Sequence, residues 1–299
     1  MLRHALRALH ELGERSPGSN QRLLRMTVHT VGRSPTLFCS VVCGLAVAAA
    51  PCAAEETATE LAQRLSNPVA ALISVPMQLN YDQDIGAARG GDRWVLNVQP
   101  VVPITLNQDW NLISRTIVPL VSQNEVFAGA GRQSGLGDVV QSFFFSPKAP
   151  GASGWIWGAG PVLLLPTGSD DLLSARKWGA GPTAVVLKQQ NGWTYGALAN
   201  HIWSFAGDSG RADVNSTFIQ PFLSFTTPDA WSFTLNTEST YNWDSKQWTV
   251  PINATVSRVT RIGGQMVSIG GGLRYWAEGP DGAPHGLGLR FTITLLFPR

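Results

Sequence analysis

Residues 286–297 read Gly286-Leu287-Gly288-Leu289-Arg290-Phe291-Thr292-Ile293-Thr294-Leu295-Leu296-Phe297. Large apolar residues alternate here with Gly, Arg and Thr, and a period of two with one apolar face is typical of a β-strand in contact with an apolar phase. The same alternation recurs at 231–243 and 247–260. It predicts an all-β protein.

From Val69 onward the chain is a series of segments rich in Val, Ile, Thr, Phe and Trp, separated by clusters of Gly, Pro, Asn and Asp. This is the pattern of strands and turns. The connections alternate between short turns and longer polar loops, as in outer-membrane barrels, and an even count places both termini on the periplasmic side. We therefore predict that residues 69–299 form a closed, up-and-down antiparallel transmembrane β-barrel of about twelve strands. The segments are 69–80, 92–106, 110–123, 136–147, 155–167, 175–188, 193–206, 213–227, 231–243, 247–260, 264–277 and 285–298.

The composition agrees with alternating strands. Hydrophobic residues make up 44% of the chain and charged residues 14%, against roughly 25% charged in soluble domains. No stretch after residue 55 has the roughly 18 apolar residues that a membrane helix needs. A soluble periplasmic β-protein is the rival fold. The sequence has no basic patch of the kind that nucleic-acid binding usually needs, so we do not expect nucleic acid as a partner.

The N-terminal region predicts export to the cell outer membrane. A basic flank at Arg33, a short apolar core in 37–54 and small residues before Glu55 are typical of a secretory signal. We predict a signal peptide over 1–54, with Met26 as an alternative start, and a periplasmic N-terminal segment over 55–68. A single anchoring helix is the alternative. All three cysteines fall inside the predicted signal, which leaves no thiol for disulfides or metal sites; they are Cys39, Cys43 and Cys52.

The tryptophans cluster near the ends of the predicted strands. Indole rings favour the headgroup zone of a membrane, because they combine an apolar body with a polar N–H group. We therefore predict two aromatic girdles. Their members are Trp94, Trp110, Trp155, Trp157, Trp178, Trp193, Trp203, Trp231, Trp243, Trp248 and Trp276.

Seven prolines within the predicted strands argue against the strand prediction, because a proline inside a strand removes a hydrogen bond between neighbouring strands. Bulges, or prolines that face a wet lumen, would accommodate them. They are Pro100, Pro103, Pro119, Pro161, Pro182, Pro221 and Pro251.

Several segments together resemble a family of Gram-negative outer-membrane proteins. Its members are usually labelled transporters, sometimes under the mistaken name neuromedin U, and it is similar to the barrel family of phenol meta-cleavage pathways. The resemblance covers nearly all of 66–299 and implies a barrel and transport, without a named substrate. The segments are Leu96-Asn97-Val98-Gln99-Pro100-Val101-Val102-Pro103, Asp109-Trp110-Asn111-Leu112-Ile113, Ser134-Gly135-Leu136-Gly137-Asp138, Trp157-Gly158-Ala159-Gly160-Pro161, Trp178-Gly179-Ala180-Gly181-Pro182, Asn200-His201-Ile202-Trp203-Ser204-Phe205-Ala206-Gly207 and Leu296-Phe297-Pro298-Arg299.

Five charged residues lie in the middle of predicted strands: Arg115, Glu238, Arg258, Arg274 and Arg290. A charge that faces lipid at the membrane midplane costs about 2–4 kcal/mol. We therefore predict that all five face the lumen, where they either pair and fill the barrel or line a narrow pore.

The final strand also resembles the terminal signal that the barrel-insertion machinery reads, with Phe291, Ile293, Leu295 and Phe297 in alternation. The expected partners are outer-membrane lipids, periplasmic chaperones and the barrel-assembly machinery. The small-molecule substrate stays open, and we expect no cofactor, no metal site and no catalytic residue.

Three functions are compatible with these features. The first is a channel or transporter for small solutes by passive diffusion, hydrophobic ones included. The second is an outer-membrane lipid hydrolase with His201 and Ser204 as base and nucleophile, although residues three apart on a strand point to opposite faces. The third is a closed structural barrel. The first is our prediction.

Overall fold

The structure, a computed structural model, describes residues 56–298. The predicted signal peptide over 1–54 lies outside the described residues. Within the described part, no helix has both the length and the apolar character needed to span a membrane.

One short helix precedes an all-β body. The helix is α1 (Ala58–Leu65). The strands are β1 (Ile73–Ile85), β2 (Gly91–Val98), β3 (Val101–Thr105), β4 (Trp110–Asn124), β5 (Arg132–Leu136), β6 (Val139–Pro147), β7 (Trp155–Leu165), β8 (Lys177–Gln190), β9 (Trp193–Gly207), β10 (Asn215–Thr226), β11 (Trp231–Thr237), β12 (Ser239–Asn242), β13 (Gln247–Ile262), β14 (Gln265–Glu278) and β15 (Gly286–Phe297).

The strands form one closed antiparallel barrel. The last strand returns to the first, with Leu79 of β1 opposite Phe291 of β15, so the sheet has no free edge. The pairs β2/β3, β5/β6 and β11/β12 are each one barrel strand with a short interruption. Fifteen strands less three gives a twelve-stranded barrel, which confirms the predicted fold class.

Three predicted strand boundaries differ from the structure by four residues or more, two at the first strand and one at the fourth. The first strand begins at Ile73 rather than residue 69, because Val69 and Leu72 pack inside the barrel as part of the chain that follows α1. The strand also continues to Ile85, into the predicted loop 81–91. The fourth barrel strand begins at Arg132 rather than residue 136, since β5 pairs with the end of β4.

The two faces of the barrel differ in polarity. On β15, Leu289, Phe291 and Ile293 are exposed on the outside, whereas Arg290 and Thr294 are buried inside. An apolar outer face with a polar interior is the arrangement of a barrel that stands in lipid.

Several of the seven prolines fall where the ladder is already interrupted. Pro161 and Pro182 lie directly opposite each other, and on their far sides the β6–β7 and β8–β9 ladders each skip residues. Pro251 lies at a bulge, and Pro221 lies opposite the interruption between β11 and β12. A proline at such a point removes no ladder bond that would otherwise form.

Gly181 lies where the β8–β9 ladder skips residues, and the close approach of the two strands there leaves no room for a side chain. A Cβ atom at Gly181 would overlap the carbonyl oxygen of His201 on the neighbouring strand, and only a backbone shift would relieve the clash. We expect Gly181→Ala to destabilise the barrel by about 1–3 kcal/mol, the usual range for overpacking. The measurement is the denaturant concentration at which half of the protein has lost the heat-modifiable folded band on a gel. Gly90→Ala is the matched control, because nothing lies within 4 Å of its Cβ position; equal midpoints for the two variants would contradict the prediction.

Candidate functional site

A charged cluster crosses the lumen, and its centre is the pair formed by Arg290 and Glu238. Arg290 on β15 donates from Nη1 to Glu238 Oε1 at 2.9 Å and from Nη2 to Glu238 Oε2 at 2.7 Å. Its Nε donates to Asn80 Oδ1 at 2.8 Å. This bidentate geometry is the strong form of an arginine–carboxylate contact. The interruption between β11 and β12 places Glu238 where it receives both bonds.

A second carboxylate, Asp82 on β1, extends the cluster. Trp276 Nε1 donates to Asp82 Oδ1 at 2.8 Å, and Arg93 Nη2 lies 3.8 Å from Oδ2. Arg274 lies between the two acids, with Nε 3.4 Å from Asp82 Oδ1 and Nη1 3.4 Å from Glu238 Oε2. Its guanidinium also lies over the Trp276 ring, 4.5 Å from the centroid. The arginines and the acids thus form one connected network.

Positive charge exceeds negative charge in this network. Arg115 on β4 donates to Gln99 Oε1 at 2.9 Å and forms no ion pair among the described residues. The cations are Arg93, Arg115, Arg274 and Arg290, and the anions are Asp82 and Glu238, so four less two leaves an excess of two positive charges. Charge of one sign in a narrow passage attracts the opposite ion.

Four of the five predicted lumen residues lie inside, and Arg258 does not. It is exposed on the outer face of β13, opposite Trp231, with its guanidinium 5.3 Å from the centre of that ring. Ile252 and Val256 share this face. The prediction that Arg258 faces the lumen is therefore wrong, because it lies near a strand end, where a long basic side chain extends along apolar surface to the polar boundary. The sequence reasoning also missed Asn80, Asp82 and Arg93.

Trp276 corrects the girdle prediction, because it is buried inside the barrel, 6% exposed, and bonded to Asp82. The other ten tryptophans lie near strand ends, half-buried or exposed, in two groups. The group beside the short turns is Trp110, Trp155, Trp157, Trp193 and Trp231. The group beside the long loops is Trp94, Trp178, Trp203, Trp243 and Trp248.

Helix α1 closes the short-turn end of the lumen from within. A capping box fixes its first turn: the Thr57 hydroxyl accepts from Glu60 N, and the Glu60 carboxylate accepts from Thr57 N. Leu61 and Ala62 pack against an inner-wall cluster that consists of Leu72, Ala230, Val259, Met266 and Leu296. Thr59 Oγ1 donates to the Pro228 carbonyl of a short turn at 2.5 Å. The helix is therefore a plug held by one apolar face and a few polar bonds.

A cavity of about 280 Å³ lies between α1 and Arg115. Nine hydroxyl side chains line it together with apolar residues such as Leu72, Val101 and Phe222, and none of the described residues that line it is acidic. The hydroxyl residues are Ser66, Ser74, Ser224, Ser232, Thr234, Ser257, Ser268, Thr292 and Thr294.

At the opposite end, the loop 166–176 folds over the inner side of β5. The Asp138 carboxylate, in the interruption between β5 and β6, accepts from Gly168 N at 3.0 Å, Ser174 Oγ at 2.7 Å and Ala175 N at 2.6 Å. There is no space for a Cβ at Gly135, because Ser169 of this loop occupies it. One carboxylate thus anchors the loop.

The neighbouring loop 208–214 strengthens this arrangement. Arg211 Nη2 donates to the carbonyl oxygens of Asp171 and Ser174, each at 2.7 Å. Lys177 Nζ lies 2.9 Å from Asp213 Oδ1. The hydrogen bonds from Lys177 and then Ser204 lower the pKa of the Asp213 carboxyl, so this link is retained in mild acid and is lost only as the pH falls through that lowered pKa.

Removing the anchor is expected to free the loop. Asp138→Asn keeps the shape but replaces one acceptor oxygen by an amide, so at least one of the three bonds is lost and the charge assistance disappears. We expect faster proteolytic cleavage within 166–176, measured by mass spectrometry on the folded protein. Asp281→Asn, in another long loop, is the control. Equal cleavage rates would show that Asp138 does not hold the loop.

His201 and Ser204 do not meet. His201 Nδ1 lies 2.7 Å from Thr217 Oγ1, and the His201 ring stacks 3.9 Å from that of Trp203. Ser204 Oγ instead donates to Asp213 Oδ1 at 3.1 Å. The base and nucleophile that the hydrolase hypothesis requires are therefore on different faces of β9.

The predicted assembly residues Phe291, Ile293 and Phe297 are exposed on the outer face of β15, and Leu295 is half-buried on the same strand. Their role in assembly stays a prediction.

No family model and no curated protein matches this sequence. Solved structures do. An outer membrane channel from Pseudomonas putida superposes with a TM-score of 0.61 at 15% identity, over 76% of this chain and 96% of that chain. The NanC porin has a TM-score of 0.46 at 11% identity, over 76% and 100%. The outer membrane phospholipase of Salmonella typhi has 0.43 at 9%, over 75% and 90%. At these identities the similarity concerns the fold, and this chain has the fold of outer-membrane β-barrel proteins.

Proposed function

We propose that this protein is an outer-membrane channel through whose lumen small solutes diffuse passively, with anions favoured over cations. The observation that carries the proposal is the cavity of about 280 Å³ inside the barrel, next to a network with two excess positive charges.

The proposed path has three parts. A solute enters at the long-loop end beside the loop 166–176, passes the charged network and reaches the hydroxyl-lined cavity. Helix α1 then blocks the short-turn end, so passage requires the helix to shift. Its main apolar anchor is Leu61, and a fully buried leucine contributes about 1.5–3 kcal/mol. Displacement of the plug must also break the packing of Ala62 and the hydrogen bond from Thr59 to the Pro228 carbonyl.

The lumen offers solutes both polar and apolar surface. Some of the apolar residues inside the barrel form a packed cluster beneath Val69, which lies on the chain that follows α1. The cluster consists of Val69, Ile113, Phe144, Val185, Leu187 and Leu198. The cavity wall also carries apolar residues, among them Leu72, Val101 and Phe222, so both polar and hydrophobic solutes are compatible with the path.

Outer-membrane lipids, periplasmic chaperones and the barrel-assembly machinery are the partners that we propose for insertion. Support comes from the apolar outer face and from the alternating residues of β15.

Single-channel recording tests the proposal. Protein purified from outer membranes is inserted in a planar bilayer after its heat-modifiable folded band has been verified. We expect small discrete current steps in potassium chloride and a reversal potential that indicates anion preference across a salt gradient. A folded protein that never conducts would overturn the channel proposal and leave the closed structural barrel.

A further inference from the structure

Arg115 differs from the other three arginines of the charged network. Arg93, Arg274 and Arg290 each have a carboxylate within 4.0 Å, whereas Arg115 has none among the described residues. A guanidinium has five N–H donors, and the hydrogen bond of Arg115 described above goes to the neutral amide of Gln99. The group is half-buried, so most of its donors and its charge stay directed to whatever occupies the lumen beside it.

The space beside Arg115 is the hydroxyl-lined cavity. The second arginine on its wall, Arg64, is already neutralised by Glu56 and donates from Nη2 to the Ala71 carbonyl at 2.6 Å. No acidic side chain lines the cavity among the described residues. The cavity therefore combines one cation that has no carboxylate within 4.0 Å among the described residues with a wall that offers hydroxyl groups.

These hydroxyl groups come from strands across the barrel from Arg115, and they are suited to a ligand that itself carries hydroxyl groups. Thr292 and Thr294 on β15 and Ser232 and Thr234 on β11 all face the cavity. A hydroxyl side chain donates one hydrogen bond and accepts two, so it serves a ligand hydroxyl in either sense.

We infer that this cavity is a binding site for a small hydroxylated carboxylate, a sugar acid in chemical class, with Arg115 as the group that holds the carboxylate. A planar guanidinium matches a carboxylate with two parallel hydrogen bonds, and the hydroxyl wall receives the rest of the molecule. The volume of about 280 Å³ lies at the lower end of ligand pockets, which favours a small solute. The inference rests on the proposed function, for which it names the substrate class.

Calorimetric titration tests the site directly, without requiring conductance. Sodium gluconate is titrated into the purified protein in detergent, and glucose serves as the uncharged comparison. We expect gluconate to bind and glucose to bind at least tenfold more weakly, a difference of about 1.4 kcal/mol or more. Arg115→Gln is expected to weaken gluconate binding at least tenfold. Arg115→Lys should have an intermediate affinity, because lysine keeps the charge but cannot form the bidentate hydrogen bonds of a guanidinium.

Arg258→Gln is the matched control, since Arg258 is a strand arginine on the outer face. It should bind gluconate like the natural protein. If Arg115→Gln unfolds the barrel, Thr292→Val on the cavity wall and Ile293→Val on the lipid side replace it, and only Thr292→Val should weaken binding. The inference is overturned if gluconate does not bind, or if Arg115→Gln and Arg258→Gln bind it equally. A channel that conducts but does not bind gluconate would contradict only the sugar-acid site. A folded barrel that does not conduct would contradict the proposed channel function.

Discussion

Replacing Glu238 with glutamine is expected to destabilise the barrel by about 3–5 kcal/mol, the usual cost of removing one partner from a buried ion pair. Arg290, only 2% exposed, would lose both of its charged bonds, and Arg274 would lose one of its two carboxylates. The measurement is the free energy of unfolding in denaturant, for protein reconstituted in lipid vesicles. The excess positive charge of the lumen would rise from two to three, so anion preference in bilayer recordings should also increase.

Two further variants make the result interpretable. Glu278→Gln removes an exposed carboxylate at the end of β14 and is expected to leave stability within about 0.5 kcal/mol of the natural protein. The double variant Glu238→Gln with Arg290→Gln should recover part of the loss, because the buried cation goes with its partner. If Glu238→Gln behaved like Glu278→Gln, the charged network would not stabilise the barrel.

Replacing Leu61 with aspartate is expected to open the short-turn end and raise the conductance severalfold. The side chain is fully buried against Val259, Met266 and Leu296, and an isolated carboxylate in that environment costs several kcal/mol. The helix should leave the lumen while the barrel stays intact, because the strands close on themselves without it. The measurement is single-channel conductance together with protease access to 56–72.

Glu60→Gln is the control for the plug. Glu60 lies on the exposed side of α1, and glutamine retains the capping geometry while the charge changes. Its conductance should match that of the natural protein. Equal conductance for Leu61→Asp and Glu60→Gln, with the helix released in the former, would show that α1 does not limit passage.

The fold was predictable because every strand repeats one signal. Alternation along β15 and the turn-rich gaps locate twelve barrel strands, and the pairing of β1 with β15 closes them into the predicted barrel. The largest boundary errors arise at the first and fourth barrel strands. The chain after α1 is apolar because Val69 and Leu72 pack inside the barrel, and from the sequence that pattern resembles a strand.

The charged site was predictable only in part, because strand register decides which face a residue occupies. Arg258 continues the face of Ile252 and Val256, so alternation would have placed it outside, against the general expectation that charges avoid lipid. Trp276 shares the inner face of Arg274 for the same reason. Asp82 was missed because β1 continues past residue 80, and Arg115 shows its lack of a carboxylate only in three dimensions.

Cysteine accessibility in the lumen tests directly whether solutes pass through the barrel. All three cysteines of the chain lie within residues 1–54, so single cysteines at Thr292, which lines the cavity, and at Ile293, which is exposed on the outer face, provide a pair of adjacent probes. A charged, membrane-impermeant thiol reagent is added during bilayer recording. We expect a stepwise loss of current for Thr292→Cys and an unchanged current for Ile293→Cys. A conducting Thr292→Cys channel whose current the reagent leaves unchanged, although mass spectrometry shows that the thiol has reacted, would contradict a solute path through this lumen.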